Sequence, residues 1–291
     1  MGSTENIAGN SADLIVRWLE RSVDRPVAEW LAEARSKAPG MTFSQIEQAL
    51  ALAGRKVGKS ALAPSESDLA EADAVRPGWN PRSWTLADAA RTSILLSLVG
   101  DQEAFGDIYK NLCRTADLAT LLGLYRALPL FPVSQTLDWQ IGEGLRTSIQ
   151  AVFEAIAHDN PVPAEIFSEH RWNHMVLKAL FIDSTLGPIV GLDERRNVAL
   201  AATLVDHVHE RRAAGRAVDL QVWRCIAPFA EGAVLDDIVP LIESADRGER
   251  FAATLCLVES PDPAAHRLLD ALAAEQQAVA SGSVTWQTLA A

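Results

Sequence analysis

The stretch Leu14-Ile15-Val16-Arg17-Trp18-Leu19-Glu20-Arg21-Ser22-Val23-Asp24-Arg25-Pro26-Val27 sets the period by which the chain is read. Leu14, Ile15, Trp18, Leu19 and Val23 recur at spacings of three and four, which stacks them on one helical face, while Arg17, Glu20 and Asp24 fall opposite. Pro26 has no amide hydrogen and ends or kinks the helix; Val27, Trp30, Leu31 and Ala34 resume the stripe. Thr42 followed by Gln45 fits a capping box opening a second helix through Leu52, which Gly54 is placed to close. Thr85 with Asp88 marks another start, with Ala89, Ile94, Leu95, Leu98 and Val99 as its buried stripe. Further helices are expected over 102–113, 115–128, 134–157, 171–181, 195–214, 220–228, 234–244, 247–258 and 264–280. Pro64 and the run Arg76-Pro77-Gly78-Trp79-Asn80-Pro81 predict a long loop over 59–80 with one short helical turn near 68–74; Asn160-Pro161-Val162-Pro163 predicts a second break.

With 47 Ala, 35 Leu and no alternating strand or Asn-Gly hairpin, the fold class is all-α. Stacked antiparallel helix pairs are expected, as a HEAT/ARM-like α-solenoid or a compact α-helical array, with HEAT-like pairing most evident at 231–280. The expected organisation is a disordered tail at 1–10, one helical domain over 11–280 and a tail at 281–291.

The formal net charge is −12 and the pI near 5.0, so the chain lacks the positive field of a nucleic-acid or anionic-membrane binder. Cys113, Cys225 and Cys256 make neither a disulfide framework nor a CxxC motif and read as core fillers in a reducing compartment. The polar start lacks a secretory h-region, and the most apolar runs are under about ten residues where a span needs about 20. A cytoplasmic protein is expected.

Gly54-Arg55-Lys56-Val57-Gly58-Lys59-Ser60 imitates a phosphate loop but has three residues between its glycines instead of four, and follows a helix rather than a strand. It reads as a basic turn whose Arg55, Lys56 and Lys59 are candidates for anion contact. His170 and His174, four apart, share a face; Asp206, His209 and Glu210 share another, with His207 turned toward Arg211. A His/Glu metal site from His170, His174, His209 and Glu210 is the weaker reading, because the spacing fits no metal family and interhelical hydrogen bonds explain the same residues. Lys178 lies among Trp172, Met175, Val176, Leu177 and Leu180, and would need a carboxylate such as Asp206 or Glu210, or snorkel to water. Neither a nucleophile elbow nor a Cys-His signature is present. Of the eight Trp, Trp79 and Trp84, in the Pro-flanked loop, are candidates for ligand or partner contact.

The run Asp159-Asn160-Pro161-Val162-Pro163-Ala164-Glu165, then Trp172-Asn173-His174-Met175-Val176-Leu177-Lys178-Ala179-Leu180-Phe181, then Gly191-Leu192-Asp193-Glu194-Arg195-Arg196-Asn197, resembles the EboA family. So do His209-Glu210-Arg211-Arg212-Ala213-Ala214-Gly215-Arg216, Trp223-Arg224 and, earlier, the Gly54 and Arg76 runs, together covering roughly residues 12–230. The resemblance implies a helical protein without established catalysis or cofactor, associated with bacterial and plastid gene clusters for processing and trafficking a secondary metabolite. It carries Asn173, Lys178, Asp193, Arg195, Asn197, Asp206, His209, Glu210, Arg211, Arg216, Trp223 and Arg224 over as candidate shared positions. The chain departs from the family pattern at His174 and His207, where a Gln and an aromatic are typical, which weakens the metal reading. Asp193 would cap the helix near Arg195, and Arg211 and Arg216 would favour that helix's carbonyl end. The expected function is a non-enzymatic scaffold binding a protein partner or a small, anionic metabolite. The rival is an enzyme using Lys178 with Asp206 and Glu210.

Overall fold

The computed structural model describes residues 2–133 and 135–289. Where one domain is expected over 11–280, the chain separates into two compact units, the first ending at Glu165 and the second starting at Ile166.

The first unit holds α1 (Gly2–Ser22), α2 (Arg25–Lys37), α3 (Phe43–Val57), α4 (Glu66–Val75), α5 (Leu86–Leu95), α6 (Gln102–Thr115), α7 (Leu118–Arg126), α8 (Gln135–Leu145), α9 (Gln150–Ala157) and α10 (Val162–Ile166), which ends across the boundary. Its centre is α5, buried along its whole length and packed by α1, α2, α3 and α7. Even its polar residues serve packing. Asp88, 2% exposed, completes the capping box with Thr85 and pairs with Arg126 at 3.0 Å, while Arg91 donates to the Leu50 carbonyl at 3.3 Å. Trp18, Trp79 and Trp84 form a chain of rings beside it, 5.7 Å apart at each step.

Several expectations are corrected here. Residues 2–10 are the first turns of α1, because Ala8 and Ser11 extend the buried face that begins at Leu14; Met1 lies outside the described residues. The helix opened by Thr42 runs past Gly54 to Val57, and Gly58, at φ 76°, closes it. Gly54 serves close approach instead, since a Cβ there would strike the Arg91 guanidinium. The loop expected over 59–80 contains α4, opened by a Ser65–Asp68 capping box. The helix expected over 134–157 divides into α8 and α9, with Ser134 outside the described residues. The break at 160–163 itself turns into α10. Among the described residues no strand forms, and an isolated bridge joins Ala61 to Thr85.

The second unit holds α11 (Glu169–Phe181), α12 (Val198–Ala213), α13 (Gln221–Ile226), α14 (Ala233–Ile242), α15 (Arg247–Glu259), α16 (Pro263–Leu269), α17 (Ala273–Ala280) and α18 (Trp286–Leu289). Its centre is α15, whose run from Phe251 to Leu257 is buried and packs against α13, α14, α16, α17 and α18. The expected 264–280 helix breaks at a 3₁₀ turn over 270–272. The expected tail is docked up to Leu289: Trp286 is buried, its indole donates to Glu259 at 2.7 Å and its carbonyl accepts from Gln221 at 2.8 Å. Residues 290–291 lie outside the described residues. No helix among the described residues is long and apolar enough to cross a membrane.

Candidate functional site

The residues singled out in the second unit divide between a scaffold and a cleft. The scaffold fixes the connection from α11 to α12. Asp193 meets Arg224 through two bonds, Oδ1–Nε at 2.7 Å and Oδ2–Nη2 at 2.5 Å, a fork that Lys could not make. That hydrogen bonding holds the Asp193 carboxyl below its usual range against the opposing effect of burial. Arg196 ties the same corner to the Arg224 carbonyl at 3.1 Å and to Glu259 at 2.6 Å. Asp193 is therefore not the helix cap; Asn197 is, accepting from the Leu200 amide at 2.9 Å. Asn197 also exchanges amide hydrogen bonds with Asn173 at 2.9 and 3.1 Å. Arg195 lies over the Trp172 ring, 4.9 Å from its centroid, and donates to the Phe167 carbonyl at 2.8 Å. Trp223 is 1% exposed, under Arg212. Asn173, Asp193, Arg195, Asn197, Trp223 and Arg224 are thus engaged in holding this connection, and none of Asn173, Trp223 and Arg224 lines the cleft described next.

The cleft forms where the carboxyl ends of α11 and α12 meet, a cavity of about 210 Å³ lined by Leu180, Phe181, Asp183, His207, Glu210, Arg211, Ala214 and Arg216. Asp183 turns the chain after α11 with φ 55°, a backbone state costly for a residue with a side chain. Gly215, at φ 63°, turns it after α12 and leaves Arg216 at the rim. Phe181 is 70% exposed, and the edge of its ring meets His207 at 5.8 Å. His207 is 8% exposed, yet its ring makes no hydrogen bond among the described residues. Burial, then the Arg211 charge, lower its pKa, so the neutral imidazole is favoured. Arg211 spends its Nε on the Ala217 carbonyl at 2.8 Å, which fixes the guanidinium. Among the described residues the Arg216 guanidinium pairs with no side chain, and the Glu210 carboxylate accepts no hydrogen bond.

The other constellations are not assembled. His170 and His174 are exposed and meet edge to face with ring centroids 4.4 Å apart, while His209 binds Asp237 at 2.8 Å. Among the described residues no three His, Cys, Asp or Glu side chains are placed to hold a metal ion, which removes the set His170, His174, His209 and Glu210. Lys178, half-buried, has its pKa lowered by burial, but neither it nor Asn173 nor Asp206 lines the cleft, and Asp206 faces water. The expected Lys178–carboxylate centre is therefore absent from the cleft.

In the first unit the phosphate-loop imitation is the last turn of α3 and its Gly58 cap. Arg55, Lys56 and Lys59 are exposed, with Lys56 5.3 Å from the centroid of the Trp30 ring. Trp79 is 1% exposed between Trp18 and Trp84, a core residue rather than a contact. Trp84 borders a separate cavity of about 170 Å³ with Asn80, Arg126, Glu154, His158 and Asp159. Sequence reasoning found Glu210, Arg211 and Arg216 but missed Phe181 and His207 as lining. The signal that could have found them was a Phe closing an amphipathic helix at a position with no apolar neighbour to cover it.

A family model described as "Metabolite traffic protein EboA" matches residues 11–227. No curated protein matches, and no solved structure matches.

Proposed function

The chain belongs to the EboA family of metabolite traffic proteins, and from that premise we propose that it is a non-enzymatic cytoplasmic binding protein that holds a small, anionic metabolite in the cleft between the ends of α11 and α12. The observation that carries this reading is His207. Its ring is 8% exposed, lines the cavity and makes no hydrogen bond among the described residues, so its donor and acceptor are open to a ligand that fills the cleft. Arg216, unpaired at the rim, and the fixed guanidinium of Arg211 supply the attraction for an anion. Lys178 and Asp206, the acid–base partners that an enzyme would use, both lie outside the cavity lining, which favours binding over turnover. The packing of α14 against α15 backs the unit, a surface against which a ligand or a protein partner can be presented.

The test is retention. Purified protein incubated with cell extract and desalted should carry an anionic compound detectable by mass spectrometry, released unaltered on denaturation. Arg211→Ala with Arg216→Ala should lose it. Chemical conversion of the retained compound, abolished by Glu210→Gln, would overturn the reading in favour of an enzyme.

A further inference from the structure

The cleft carries both signs of charge. Glu210 and Arg216 line the same cavity of about 210 Å³ and, among the described residues, do not pair with each other. Asp183 and Arg211 line it too, and Arg211 is kept from turning by its bond to the Ala217 carbonyl. Glu210 and Arg216 are both exposed and line the cavity, so each is available to a ligand group of opposite charge. A ligand that is only an anion meets Arg211 and Arg216 and is opposed by Glu210 and Asp183. A ligand that is only an amine meets the reverse. One carrying a carboxylate and an ammonium a few ångströms apart satisfies both sets. The remaining wall is apolar: Leu180, Ala214 and the 70% exposed ring of Phe181. Together they give the third point of contact by which an amino acid's side chain is distinguished.

We infer that the cleft takes a zwitterion of the amino-acid class with an apolar side chain, its carboxylate held by Arg211 and Arg216 and its ammonium by Glu210, which rests on the cleft being the ligand site. His207, beside Phe181, gives the neutral imidazole's donor and acceptor to the ligand's polar end without adding a charge of either sign.

Calorimetric titration with three probes sharing one side chain tests it: leucine, 4-methylpentanoate, which lacks the amine, and 3-methylbutylamine, which lacks the carboxylate. Leucine should bind at least about tenfold tighter than either. Glu210→Gln should bring leucine down to the level of 4-methylpentanoate without weakening that acid, and Arg216→Ala should bring it down to the level of the amine. Glu210 and Arg216 are exposed, so both variants should melt with the parent. Equal binding of leucine and 4-methylpentanoate, indifferent to Glu210→Gln, overturns the zwitterion and keeps the anion reading. If none of the three shifts the His207 ring resonances, the cleft itself fails as the site.

Discussion

At the scale of single residues, the positions that look most chemical in the sequence divide by whether a partner was found for them in folding. Asp193 and Arg224 lie 31 residues apart in sequence and form a two-pronged pair, with the Arg side chain 7% exposed and the Asp 33%. Removing the cation strands the carboxylate against the buried Arg224 site and frees the corner held by Arg196. Arg224→Ala is expected to cost about 2 kcal/mol in urea denaturation, and Asp193→Asn in the same chain should recover part of it. His207 behaves in the opposite sense, because no partner was found. Burial and Arg211, on its own helix, depress its pKa against Glu210 and the nearby Asp219, so the unfolded chain takes up a proton at a higher pH than the folded one. Its contribution to stability is therefore present above the ordinary histidine value of 6.5 and is lost as pH falls through that value and the folded one. Thermal melting should fall more steeply from about pH 7 to 5 in the parent than in His207→Phe; parallel curves would refute the assignment.

At the scale of elements, caps were legible and closures were not. Thr42 with Gln45 and Thr85 with Asp88 announce α3 and α5, because a capping box is a local exchange of hydrogen bonds that needs nothing from the rest of the chain. The same signal at Ser65 and Asp68 opens α4, but only Asp68 and Ala72 of that helix are buried, so no apolar stripe follows to confirm it. Gly54 misleads for a related reason. A glycine near a helix end suits a left-handed closure, and only the approach of Arg91 from α5 reveals that it is there for space. Gly54→Ala should gain up to about 1 kcal/mol in helix propensity and lose more to the displaced guanidinium, for a net loss of about 1–2 kcal/mol by denaturant titration. The cleft was half legible on the same principle. Glu210, Arg211 and Arg216 lie close along one segment, whereas Phe181 joins them only through the meeting of two helix ends.

At the scale of the whole molecule, the family match ends at residue 227, inside the second unit. The helix that this unit is built around, α15, lies beyond the match, as do Glu259, which holds Arg196, and Trp286, which holds Glu259. A chain ended at 227 would leave Trp223 and Ile226, each 1% exposed, without the α15 surface they pack on. It is expected to lose near-ultraviolet circular dichroism and solubility, and to be digested by protease from residue 166 onward while the first unit resists. Equal resistance of both units would show that the matched region is self-sufficient.

The turn that follows α12 has a consequence for the lifetime of the chain. Residues 213–217 are all exposed, with Gly215 in a left-handed conformation and Arg216 at the crest, so the Arg216–Ala217 bond presents itself to trypsin as the cores on either side do not. A single early nick there would cut the covalent thread between α12 and α13 while the Asp193–Arg224 fork and the α12–α13 contact kept the pieces together. The rate of that nick, slowed by whatever occupies the cleft, makes limited digestion a clock for occupancy that needs neither a label nor the ligand's identity.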